Sequence, residues 1–140
     1  MDPPLLTTLV RRWHLAIRRR IHDDLVAAGH ARLSPAHMYI FQSPGPEGAG
    51  PSELARRTNI TKQALNHLLA GLERDGYLRR VPAAGDRRAT VIRLTDRGRE
   101  VERLMNAGSL RLEQEWSQRF DGATIEHLRA LLVELESLTG

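Results

Sequence analysis

Between Ser52 and Gly98 the chain reads SELARRTNITKQALNHLLAGLERDGYLRRVPAAGDRRATVIRLTDRG. Two kinds of hydrophobic period succeed one another in it. Pro51 suits the first turn of a helix that carries Leu54 and Ala55 inward and stops near Thr58 and Asn59. Thr61 then has the side chain of an N-cap, and a longer helix runs from it through Asp75 to a stop at Gly76. The pair is a helix, a tight turn and a second helix. After Gly76 the period drops to two. Tyr77–Pro82 and Ala89–Leu94 are β-prone, with Thr90, Ile92 and Leu94 alternating against Val91 and Arg93, and the polar run Ala83–Arg88 suits the tip of a hairpin. Thr95 reads as the cap of a long helix from Asp96 to about Phe120, its apolar side formed by Leu104, Met105, Leu112 and Trp116 and its pattern interrupted at Gly108.

Working outward, Leu6, Leu9, Trp13, Ile17, Ile21 and Leu25 recur every three or four residues, which predicts an amphipathic helix from Leu5 to about Ala28, stopped by Gly29. Ser34-Pro35 opens a short helix whose bulky face is Met38, Tyr39 and Phe41. Residues 43–50, SPGPEGAG, form a loop. Beyond Phe120, Ile125, Leu128, Leu131, Leu132, Leu135 and Leu138 stripe a last helix that needs a partner to cover it. The expected order is four helices, a hairpin and two helices. That is a mainly α fold with a small β-hairpin wing, in one domain spanning 1–140: a winged helix-turn-helix lobe over about 45–98 flanked by helices over about 5–28 and 99–138.

Composition agrees and excludes. The chain is 41% hydrophobic but only 4% aromatic, so its core rests on aliphatic residues. The formal net charge of +4 is unevenly held: residues 50–99 carry 11 of the 21 basic groups and 5 of the 17 acidic ones. A basic middle between less basic flanks points to a polyanion, nucleic acid first. With no cysteine there is no disulfide, thiolate metal site or thiol-based sensing. No export signal or membrane-spanning run is visible, so a cytoplasmic location is expected. Neither a phosphate-cradling glycine loop nor a nucleophile with its base is present, which argues against an enzyme and against a cofactor. The six histidines, at 14, 22, 30, 37, 67 and 127, lack the spacing of a metal site; only folding could gather His30, His37 and a carboxylate, and no metal is expected.

Placed 100° apart around the helix from Thr61, Leu65, Leu68, Leu69 and Leu72 share one side, while Gln63, Asn66, His67, Ala70 and Arg74 gather about 180° away. Gln and Asn make paired hydrogen bonds to adenine in a major groove, so Gln63, Asn66 and His67 are the candidate base readers, and small Ala70 permits close approach. The helix N-terminus offers free amides, which makes Thr61 and Lys62, with Ser52 at the preceding helix, candidates for phosphate. At the hairpin tip Asp86, Arg87 and Arg88 suit a minor groove, Asp86 orienting the Arg88 guanidinium by a paired hydrogen bond.

Taken together, Glu53-Leu54-Ala55, Thr61-Lys62-Gln63, Leu72-Glu73 with Gly76, Asp86-Arg87-Arg88 and Leu94-Thr95 with Gly98 closely resemble the MarR family, the multiple-antibiotic-resistance regulators. The likeness is firm over about a third of the chain. It implies a homodimer whose first and last helices interlock, two winged-helix lobes on successive major grooves of double-stranded DNA, and wing arginines in the flanking minor grooves. Such a dimer suits a pseudo-palindromic operator, with repression the usual behaviour. The resemblance also implies release by a small aromatic or phenolic effector, for which Trp13, Ile17, Met38, Tyr39 and Trp116 are the candidate lining residues. The competing reading is a winged-helix module that binds a protein and has little or no specific DNA affinity.

Overall fold

The computed structural model describes residues 1–140. Six helices and one hairpin follow in order: α1 Leu6–Ala27, α2 Pro35–Phe41, α3 Pro51–Thr58, α4 Lys62–Arg74, β1 Leu78–Ala83, β2 Asp86–Leu94, α5 Asp96–Phe120 and α6 Gly122–Thr139. The boundaries follow local chemistry. Pro35 and Pro51 stand at the first positions of α2 and α3, where a missing N–H costs nothing. Asn59, left-handed at φ 54°, ends α3, and Thr61 Oγ1 accepts the Ala64 amide to start α4 at 3.3 Å. Thr95 Oγ1 does the same for α5, accepting from Gly98 N at 3.2 Å.

The chain divides into two compact units, Met1–Met105 and Asn106–Gly140. In the first, Leu54 of α3, Leu65, Leu69 and Leu72 of α4, Met38, Ile40 and Phe41 of α2 and Leu25 of α1 lie wholly buried with Leu78 and Ile92 of the hairpin. Each such side chain contributes about 1.5–3 kcal/mol relative to exposure. Tyr77, at the join between α4 and β1, is the hub. Its ring meets Phe41 edge-on at 5.7 Å between centroids, and its hydroxyl hydrogen-bonds His30 Nδ1 at 2.7 Å. Its carbonyl accepts the Thr95 amide at 3.1 Å. Gly98 sits so close that a Cβ there would lie 2.1 Å from that carbonyl oxygen, so only glycine fits.

The strands pair antiparallel from Leu78↔Leu94 to Pro82↔Thr90, and then Ala83 faces Asp86. One step on β1 thus spans Arg87, Arg88 and Ala89 on β2, a bulge at the far end of the wing. The loop before α3 adds an isolated bridge: Ala49 and Ile92 exchange both backbone hydrogen bonds, at 3.1 and 2.7 Å.

In the second unit Asp121 Oδ1 accepts the Thr124 amide at 2.8 Å and caps α6. Arg129 donates to Glu113 at 2.7 Å and lies 3.3 Å from Glu126, and these acids raise its pKa further above the usual arginine value. Ile125 is buried, but Leu131, Leu132, Val133, Leu135 and Leu138 are exposed. The stripe on the last helix is therefore uncovered from Leu131 onward in the single chain. On α1 the stripe is graded: Ile21 and Leu25 are buried, Trp13 and Ile17 half-buried, Leu6 and Leu9 exposed.

Three details differ from the sequence reading. Leu68 is half-buried rather than core, because it lines a groove beside α2 with His37 and His67. Tyr39 is 38% exposed and carries the Arg18 guanidinium 3.6 Å above its ring, so the buried bulk of α2 comes instead from Ile40 with Met38 and Phe41. The helix α5 runs from Asp96 to Phe120 through Gly108, as its sequence predicts, since glycine weakens a helix without ending it. The segment Asp86–Arg88 is counted into β2 because a two-residue turn, Ala84-Gly85 with Gly85 at φ 80°, closes the hairpin beyond it.

Candidate nucleic-acid interface

Helix α4 presents two faces of opposite character. Leu65, Leu69 and Leu72 are at most 1% exposed, whereas Gln63, Asn66, His67, Ala70 and Arg74 are all exposed. An apolar back this tightly held makes the helix a rigid mount, and leaves amides, an imidazole and a guanidinium facing outward. The N-terminal end is open as well. Thr61 and Lys62 are exposed, and with the Thr61 side chain on the Ala64 amide, the Lys62 and Gln63 amides face outward as unpaired donors of a first turn. Ser52 is exposed in the first turn of α3.

Along α3, Glu53 gathers two cations. Its carboxylate pairs with the Arg56 guanidinium and, at 2.8 Å, with Arg57 Nε. Hydrogen bonds from Arg56 and then Arg57 hold the Glu53 carboxyl below its ordinary range. Arg57 also donates to the Ser43 carbonyl at 2.5 Å and ties α3 to the loop before it.

The wing carries five arginines against one acid: Arg79, Arg80, Arg87, Arg88 and Arg93 with Asp86. Arg79 lies directly across from Arg93. Like charges in that relation destabilise a hairpin, so a sheet this small keeps them at a cost that a polyanion would relieve. Arg87 and Arg88 are exposed on the bulge. Asp86 does not orient the Arg88 guanidinium as the sequence reading supposed: its Oδ1 accepts the Arg88 backbone N–H at 2.9 Å, because the bulge turns that amide back toward the carboxylate. The acid shapes the backbone and leaves the arginine side chain free to reach outward.

The residues considered for an effector are spread. Trp13 and Ile17 of α1 are half-buried, Tyr39 of α2 is exposed with its hydroxyl 3.3 Å from His14 Nε2, and Met38 is 1% exposed within the core. Trp116 is half-buried in the second unit. His30 and His37 each have a partner within the protein: His30 Nδ1 bonds the Tyr77 hydroxyl, and His37 Nδ1 accepts the Ser34 amide at 2.9 Å.

Sequence reasoning passed over Arg79, Arg80, Arg93 and Glu73. Arg80 Nε donates to Glu73 Oε2 at 2.8 Å across the join of wing and helix. A signal existed, since Arg80 keeps period two with Leu78 and falls where an aliphatic residue was due.

Comparison with known proteins decides the family. The sequence model of the MarR family matches residues 43–89. The HTH-type transcriptional regulator PecS of Dickeya dadantii is 34% identical over 140 residues, covering 97% of this chain and 82% of PecS. The chain belongs to the MarR family. It is accordingly a transcription regulator with a DNA-binding winged helix, in a family whose members are regulators and not enzymes. The repressor YetL of Bacillus subtilis is 45% identical over 49 residues, a local match over 35% of this chain and 29% of YetL. Solved MarR structures share the fold. Reduced MarR from Escherichia coli superposes with a TM-score of 0.78 at 18% identity, covering 96% of this chain and 98% of that one. A MarR family protein of Mycobacterium tuberculosis in complex with salicylic acid superposes with a TM-score of 0.70 at 24% identity, over 96% and 98% of the two chains. No helix is long and apolar enough to cross a membrane.

Proposed function

We propose that this MarR-family regulator is a homodimeric repressor that reads a pseudo-palindromic operator with α4. The observation that carries the reading is the outward face of α4, with Gln63, Asn66 and His67 exposed on a helix whose opposite side buries Leu65, Leu69 and Leu72. Gln63 and Asn66 supply paired hydrogen bonds to base edges, and His67 a single donor or acceptor. Thr61, Lys62, Ser52 and Arg74 hold phosphates and set the register, while Asp86, Arg87 and Arg88 deliver the wing to a minor groove. The uncovered leucines of α6, with those of α1, supply the apolar surface that joins two copies and so sets the half-site spacing. Repression accords with the local likeness to YetL.

Selection of bound sequences from random duplex DNA tests this. A two-fold motif with half-sites about one helical turn apart is the expected outcome. A protein that enriches no sequence, and whose weak binding is insensitive to salt, belongs instead to the protein-binding class.

For regulation, the proposal extends to a small aromatic or phenolic acid that releases the operator and is lined by Trp13, Ile17, Met38, Tyr39 and Trp116; the salicylic acid in the mycobacterial relative gives it a chemical precedent. Calorimetry and operator release across a set of aromatic acids decide it; no heat and no release remove the effector from the scheme.

A further inference from the structure

Arg80 breaks the pattern of the strand that carries it. Leu78 and Arg80 point to one side of β1. Their cross-strand partners, Leu94 and Ile92, are 6% and 0% exposed, so this is the packed side. An aliphatic residue belongs there, yet the chain places a guanidinium whose side chain is 36% exposed. Its Nε donates to Glu73 Oε2 in the last turn of α4. That bond uses Nε alone and leaves both terminal amino groups, four N–H in all, available. Arg80, Glu73, Arg74 and Ala70 together line an open groove of about 400 Å³ at the foot of the wing. The Arg74 side chain is 69% exposed. Exposed ion pairs contribute little to stability, so the Glu73–Arg80 pair does not explain why a charge displaces an apolar residue. A local rule broken without a stabilising return is characteristic of a position kept for binding.

We propose that Arg74 and Arg80, the second aimed by Glu73, form a phosphate seat that takes one backbone phosphodiester of the DNA at the C-terminal end of α4. The proposal rests on α4 being the DNA-reading helix. Two members of the groove, Ala70 and Arg74, belong to the exposed face of that helix, so a strand lying along the face runs past the groove. A guanidinium held at Nε presents the planar fork that fits two phosphate oxygens. Helix α4 has 13 residues and is therefore about 20 Å long, against a major groove about 12 Å wide. Its two ends can thus reach opposite backbones, with the first-turn amides beside Thr61 and Lys62 on one and the arginine groove on the other. Glu73 is a positioning residue: its charge works against DNA, and its oxygen fixes the fork.

The test uses the full chain, the selected operator and an unrelated duplex, with affinity followed across salt concentrations. Arg80→Ala should weaken both duplexes roughly three- to tenfold and lower the salt slope by about one. Glu73→Ala should weaken binding even though it removes a negative charge, and Glu73→Gln should restore it, because the amide oxygen still accepts Nε. Phosphate-ethylation interference should lose one position per half-site in Arg80→Ala. Arg80→Lys keeps stem and charge but not the fork; it should bind more weakly than the parent, and it replaces the alanine variant if thermal unfolding shows that one to be misfolded. An Arg80 variant with an unchanged slope and interference pattern overturns the seat. So do Glu73→Ala and Glu73→Gln variants that both tighten binding, which would make Glu73 a simple repulsive charge. If the parent protein itself ignores every duplex, the DNA reading of α4 fails and the seat fails with it; a parent that binds while Arg80 proves indifferent removes the seat alone.

Discussion

Gln63 and Asn66 each end in a carboxamide on the exposed side of α4, and a carboxamide offers one donor and one acceptor to the same base edge. Gln63→Ala or Asn66→Ala should therefore cost about 1–3 kcal/mol at the operator, with little change on unrelated DNA. Equal losses on all sequences, measured by titration, would refute base reading. His37 acts at the same scale on stability. Burial lowers its pKa from the usual 6.5, with the Asp75 charge opposing and His67 adding to the shift. Its Nδ1 must be unprotonated to accept the Ser34 amide. The unfolded chain then takes up this proton at a higher pH than the folded one, so stability is intact above pH 6.5 and declines as pH falls below it. Melting curves from about pH 7.5 to about 5.5 should show that decline, and His37→Asn should make it shallower.

At the scale of elements, the join of α4, β1 and α5 leaves no room at Gly98. A methyl group at Gly98 would strike the Tyr77 carbonyl oxygen, and neither backbone can move without disturbing the Thr95 hydrogen bond to that same oxygen. Gly98→Ala should destabilise the protein by about 1–3 kcal/mol in urea unfolding, an overpacking cost; an unaltered midpoint would show that the helix start is free to shift. The hairpin is the opposite case, a thin element with Arg87 and Arg88 exposed at its far end, which the proposed function assigns to DNA. Arg88→Ala should weaken binding to every DNA and flatten the salt dependence while the melting temperature holds. Unchanged affinity would take the wing out of the mechanism.

At the scale of the whole molecule, the leucines of α6 carry the expectation. Five large apolar side chains, from Leu131 to Leu138, stand exposed on one helix, more than scattered surface hydrophobes require. If they join two copies, Leu131→Asp with Leu135→Asp should yield a monomer in sedimentation and abolish cooperative binding to the two half-sites. A double variant that stays dimeric would move the interface elsewhere.

What could be read from residue order alone is what depends on near neighbours. Proline at a first turn, a threonine cap, glycine after a helix and periods of two and 3.6 are local, so all six helices and the hairpin were legible, as was the split of α4 into a leucine back and a polar front. The MarR likeness came from the same local motifs. What needed three dimensions was every choice made between segments. The Asp86 carboxylate had both an amide and a guanidinium in reach, and only the bulge selected the amide. Tyr39 and Ile40 compete for the inside of α2, and packing against the lobe put Ile40 there. Arg80 and Glu73, seven residues apart, meet because the turn at Gly76, closed by the Tyr77 N–H on the Leu72 carbonyl, brings β1 back beside the end of α4. Sequence periodicity assigns a side chain to a face; which groups then lie within a hydrogen bond of it is set by how the faces are brought together.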